Sequence, residues 1–244
     1  MTKNVGGKAA ADGGWHGAVR DSRVVLATVT TGAVNAVTFL FLGKVFSSVI
    51  TGNLVLLGIS AVDHSSSEAI HGGVAIASYA AGVAVAAPLA ARGNDHGTTW
   101  PGSVTTTLAV ELCVLAAFCL GWELSDGRPR GVAQLVLLVL VAAAMGMQSA
   151  AIRRLGQMSS TFLTNTLTGV IAGLATGTMP DALGRSLGVI AAMVAGALAA
   201  GFLATQAYAW LPVMILLPLG LVIAGSVASA RNGKTPPSRL AGEG

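Results

Sequence analysis

Eight apolar runs leave this chain few ways to fold. They lie at about 24–42, 45–62, 71–91, 102–123, 131–151, 158–177, 184–206 and 209–229. Each holds 18 residues or more, roughly what an α-helix needs to cross the ~30 Å of bilayer hydrocarbon. None alternates as a strand would, and in lipid a helix satisfies its own backbone hydrogen bonds. Only 10% of the residues are charged and 53% are hydrophobic, against about 25% charged in a soluble domain. The fold class is therefore all-α: a polytopic helical bundle in a membrane, with the lipid bilayer as its first partner.

The ends differ from the middle. Residues 1–23 are Gly-rich and polar, without the short apolar region of a cleaved signal peptide. Residues 231–244 contain Pro236 and Pro237 among small polar residues. Both stretches are expected to be disordered cytoplasmic tails. The net charge of +4 is no sign of nucleic-acid binding, since the basic residues sit at tails and run ends without a stripe of interleaved aromatics. Cys113 and Cys119, six apart on one helix, point about 240° away from each other and read as packing residues.

Two runs share a polar insertion. Gly43, Ser47, Thr51 and Leu54 fall without a gap on Gly156, Ser160, Thr164 and Leu167, 113 residues on. The same offset carries 24–42 onto 137–155 and 71–91 onto 184–204, and the small residues Ser78, Gly82 and Ala86 onto Ala191, Ala195 and Ala199. Such small-residue ridges let helices approach closely in lipid. The expectation is two homologous halves, 24–123 and 131–230. Runs two and six are short and interrupted by Thr51-Gly52-Asn53 and Thr164-Asn165-Thr166. Full crossing gives eight spans and a parallel repeat; dipping in and returning gives six spans and an inverted repeat. Basic residues divide 10 to 4 in the first case and 11 to 3 in the second, and both put the termini in the cytoplasm. Eighteen residues reach about 27 Å, which favours eight full spans. Trp100 and Trp122, at the two ends of run four, suit the two interfacial belts.

Polar groups inside such runs are costly without a partner or a task. Thr28, Thr31, Asn35 and Thr38 form one stripe at helical spacing. It is either a cavity wall or a set of hydroxyls bonded back to their own helix, with Asn35 joining two helices. The repeat sets Gln148 opposite Asn35, one amide per half. Thr51, Gly52 and Asn53, with Thr161, Thr164, Asn165, Thr166 and Thr168 in the second copy, either line a shared central site or close a helix crossing. Glu111, mid-run and unmirrored, is a candidate proton-coupling carboxylate; the alternative is a neutral acid bonded to a neighbouring helix. Arg153 and Arg154 suit a headgroup anchor, or a gate. Asp63, His64, Glu68 and His71 share a loop, but their spacing fits no familiar metal site. No catalytic group set stands out, so no enzymatic activity, cofactor or metal is expected.

Thr31-Gly-Ala-Val-Asn-Ala-Val-Thr-Phe-Leu40, then Val45-Phe46 and Thr51-Gly-Asn53, resemble the YoaK-like bacterial membrane proteins, a family of unknown function. Met145-Gly-Met-Gln-Ser-Ala-Ala-Ile-Arg-Arg154 resembles its second block. The likeness covers nearly all of 24–230. Asn35 stands where that pattern has Asp, and Asn165 where it often has Gly, so an intramembrane charge is missing here. The family implies no reaction. Together these readings anticipate an inner-membrane carrier of a small polar or ionic solute, with a scaffold whose polar seams only pack helices as the alternative.

Overall fold

The computed structural model describes residues 5–92, 99–156, 163–178 and 183–232, with side chains from Gly17 on except at Asn165, Thr166 and Asn232. Among these residues the chain forms eight α-helices and no strand: α1 Val5–Phe41, α2 Ile50–Val62, α3 Ser66–Ala91, α4 Gly102–Leu124, α5 Val132–Arg154, α6 Leu163–Thr176, α7 Leu183–Gln206 and α8 Leu211–Asn232. One turn of 3-10 helix, Tyr208–Trp210, precedes α8. Residues 5–23, read as tail, continue α1.

Among the described residues six helices are long and apolar enough to cross a membrane: α1 from Gly17, α3, α4, α5, α7 and α8. α2 and α6, with 13 and 14 residues, reach only about 20 Å. By length and composition the described helices therefore support six spans, the alternative to eight full crossings. The reason for α2 lies at its start. Gly43 adopts φ +98 and Lys44 φ 57, which ends α1. A side chain at 43 would meet the His71 ring at 2.3 Å, so only glycine fits there. The chain then runs non-helically as far as Val49, although residues 45–49 are as apolar as the helix they precede.

Contacts near the helix ends set the directions. At one end Asp21 pairs with Arg185 (3.6 Å). There Arg23 donates to the Gly225 carbonyl (2.8 Å) and to Ser229 Oγ (2.7 Å) and lies 5.1 Å from the Trp100 ring centre. At the other end Gln134 Nε2 donates to the Phe41 carbonyl (2.8 Å), and Gly127 lies against Tyr208. α1, α4 and α7 therefore run one way and α3, α5 and α8 the other. α2 starts and finishes at the end where α1 stops, and α6 sits at the opposite end, between the close of α5 and the start of α7.

Packing does not follow the sequence halves. α3 and α4 pack on α5, with α2 on α3; α7 and α8 pack on α1, with α6 on α7. Between these two groups α4 meets α8 and α1 meets α5. Each group is built on one glycine crossing. A Cβ at Gly32 would lie 2.2 Å from Met193 O, and one at Gly196 2.2 Å from Val29 O. In the other group a Cβ at Gly82 would lie 2.0 Å from Ala143 O and one at Gly146 2.2 Å from Tyr79 O. All four positions of the first crossing stand 114 residues from their counterparts in the second. The buried ridges agree: Ser78, Gly82, Ala86 and Ala90 on α3, and Ala192, Gly196, Ala200 and Ala204 on α7. In the long helices the correspondence is thus one residue beyond the 113 read from the insertions, and Ala191 and Ala195 are exposed. Trp122 departs from expectation too. It is wholly buried, edge-on to Phe41 at 5.3 Å, rather than facing lipid headgroups.

Candidate functional site at the junction of three helices

Glu111 is the tenth residue of α4 and is fully buried. Its Oε1 accepts a hydrogen bond from Gln148 Nε2 on α5 (3.1 Å). Gln148 Oε1 in turn accepts from Thr31 Oγ1 on α1, and Nε2 lies 3.5 Å from the Ala27 carbonyl. One polar line therefore runs from α4 through α5 to α1 and crosses between the two helix groups. Glu111 Oε2 is buried with no hydrogen-bond partner. A carboxyl oxygen left this way costs free energy that a purely structural role would avoid.

Asn35, one turn further along α1, is buried and its amide is fully used. Nδ2 donates to the Thr31 carbonyl (3.0 Å) and Ser48 Oγ (2.7 Å); Oδ1 accepts from Ser47 Oγ (3.2 Å) and Ser48 N (3.1 Å). With the 114-residue correspondence Asn35 matches Ser149 rather than Gln148, so the two amides are not counterparts in that register. The other stripe hydroxyls bond back to their own helix: Thr28 to Val24 O (2.8 Å) and Thr38 to Val34 O (2.9 Å). Asn35 also forms part of the wall of an apolar groove of about 420 Å³ between α1 and α7, lined by Gly32, Phe39, Phe46 and Met193.

The two Thr-rich insertions are not brought together. Asn53 is buried and holds the preceding loop, Oδ1 accepting from Phe46 N (2.8 Å) and Nδ2 donating to Phe46 O (2.6 Å). Thr51 is exposed, and Gly52 is half-buried against Phe46 and Val49. Thr164 and Thr168 are exposed, with the Thr168 hydroxyl bonded to the Thr164 carbonyl (2.9 Å). Asn165 and Thr166 belong to α6, but their side chains lie outside the described residues, as does Thr161 entirely. Since α2 and α6 stand at opposite ends, these residues do not form one central site.

Arg153 and Arg154 are exposed in the last turn of α5, where a cation suits the carbonyl end of a helix. His71 Nδ1 bonds the Ser67 carbonyl (2.6 Å), and among the described residues no three metal-ligating side chains converge. Sequence reasoning missed Ser47 and Ser48 as partners of Asn35. Their place in the first polar insertion was a signal, but only the loop's return onto α1 reveals the contact.

Among the described residues, six antiparallel apolar helices with a buried carboxyl at Glu111 and buried amides at Asn35, Asn53 and Gln148 define a polytopic helical membrane protein. The chain belongs to the family described as a protein of unknown function (DUF1275), whose model matches residues 24–227. It is similar to the UPF0700 transmembrane protein YoaK of Bacillus subtilis (strain 168), 32% identical over 157 residues, which cover 63% of this chain and 67% of that protein. No solved structure matches it.

Proposed function

We propose that the chain is an inner-membrane carrier of a small polar or ionic solute. It works by moving one helix group against the other, and Glu111 exchanges a proton in the cycle. The observation that carries this reading is the buried, half-partnered Glu111 at the junction of α4, α5 and α1, because intramembrane carboxyls of this kind mark proton and ion paths. The matched glycine crossings support an ancestral duplication with three spans per half, hence an inverted repeat of the kind secondary transporters use. With six spans the basic residues divide 11 to 3 toward the end holding both termini, which supports a cytoplasmic location for that end. Among the described residues the buried Thr28, Thr38, Asn35, Asn53 and Gln148 side chains bond the backbone or neighbouring side chains, which favours a carrier over an enzyme.

The test uses full-length protein in liposomes loaded with a pH-sensitive dye, challenged with a panel of small polar solutes. Solute-dependent proton movement is expected, falling at least tenfold in Glu111→Gln. Equal movement in wild type and variant would sink the proton role. No flux or binding for any solute would leave the second reading, a packing scaffold. That reading has its own support: the amides of Asn35 and Asn53 are fully occupied in tying one loop to α1 and α2.

A further inference from the structure

We infer that the Gln148 side chain reads the protonation state of Glu111 and passes it to α1, so that a proton bound on one helix group alters the bond to the other. The inference deepens the carrier reading above and rests on it only for the use made of the signal.

The line Glu111–Gln148–Thr31 has a direction. At present Gln148 gives its N–H to Glu111 Oε1 and takes the Thr31 hydroxyl hydrogen on Oε1. A carboxylate can only accept, so this order suits the ionised acid. When a proton binds one carboxyl oxygen, the acid gains an O–H to donate, and Oε2 has no hydrogen-bond partner to take it. The side-chain acceptor within this line is Gln148 Oε1. Turning the amide over presents that oxygen to the new O–H and the NH2 to Thr31 Oγ1. The Thr31 hydrogen is then left to the Ala27 carbonyl, 3.3 Å away. One O–H bond forms on Glu111, no other covalent bond changes, and every donor in the line reverses. Because α1 packs with α7 and α8 while α4 and α5 belong to the other group, the reversal falls on the contact between groups.

Competing titratable groups at this depth are few among the described residues. On α4 itself Cys113 is exposed, and Cys119 and Glu123 lie about two and three turns away. α3 carries Tyr79 near its middle, with Glu68 and His71 in its first two turns. Arg153 and Arg154 on α5, Arg231 on α8, and Arg20, Asp21 and Arg23 on α1 lie toward the ends of their spans. None of them hydrogen-bonds Glu111, whose hydrogen-bonded partner is Gln148.

The test needs no solute, so it can fail while the carrier reading stands. Full-length chain with Cys113→Ala and Cys119→Ala receives nitroxide labels at Val139→Cys on α5 and Leu198→Cys on α7, both exposed. Inter-label distances are measured in lipid nanodiscs in mildly acidic and mildly alkaline buffer, beside infrared difference spectra of the same samples. The expected result is a pH-dependent shift in distance together with a protonated-carboxyl band on acidification. Glu111→Gln should lose both. Gln148→Leu and Thr31→Val should keep the carboxyl band but lose the distance shift, and this pair of results keeps the test decisive if Glu111→Gln does not fold. A distance shift that survives in Gln148→Leu, or a carboxyl band that survives in Glu111→Gln, overturns the inference.

Discussion

Asn53 and Thr51 stand two residues apart in one polar insertion, yet they have opposite physical roles. Asn53 is fully buried and satisfies both the N–H and the carbonyl of Phe46; Thr51 is exposed at the start of α2. Removing the amide strands two backbone groups, each costing about 1–3 kcal/mol if left unpaired. Asn53→Ala is therefore expected to destabilise the fold by about 2 kcal/mol or more, whereas Thr51→Ala stays within about 0.5 kcal/mol. Unfolding of each variant in mixed detergent micelles checks the contrast, and equal effects would return both residues to a common role. The residue types alone show that a polar group is present in an apolar run. Whether it faces a loop, a groove or the lipid depends on where the chain turns back, and for Asn53 that is decided seven residues earlier, at Phe46.

Helix crossings carry the packing, and they do so through backbone contact. At Gly82 and Gly146 an added Cβ would overlap a carbonyl of the facing helix, and no side-chain rotamer relieves such a clash. Gly82→Ala and Gly146→Ala should each cost about 1–3 kcal/mol by forcing α3 and α5 apart. Gly58→Ala in α2, where nothing lies within 4 Å, should instead be neutral or stabilise by up to about 1 kcal/mol. The same unfolding assay separates the two outcomes, and a harmless Gly82→Ala would show that the crossing is looser than described. At this scale the apolar runs were legible as helices to within three residues for α4, α5, α7 and α8, while α3 begins five residues before its run. α2 was not, because residues 45–49 are as apolar as a helix and become loop only through Gly43 and the Asn35 and Asn53 bonds.

Over the whole molecule, six crossing helices and two short ones place α2 and α6 at opposite ends. Single cysteines at Lys44, Asp63, Arg92 and Asp126, in a chain lacking Cys113 and Cys119, distinguish this arrangement from eight spans. Lys44→Cys, Asp63→Cys and Asp126→Cys should label from one side of the membrane and Arg92→Cys from the other. Labelling of Asp63→Cys and Asp126→Cys opposite to Lys44→Cys would restore the eight-span topology.

By itself the sequence determined that this chain is a helical membrane protein and that Glu111 lies deep within it. Partition into lipid depends on the length and composition of each run, and both are local properties. It also showed a 113-residue offset between its polar insertions, whereas the two glycine crossings of the helices stand 114 residues apart. The tertiary structure decided the rest: which described helices are long enough to cross, helix groups that exchange α1 and α5, and the line from Glu111 through Gln148 to Thr31. These follow from contacts between residues 37 to 167 positions apart, made possible where Gly32, Gly82, Gly146 and Gly196 let backbones touch. No local pattern specifies which glycine meets which carbonyl.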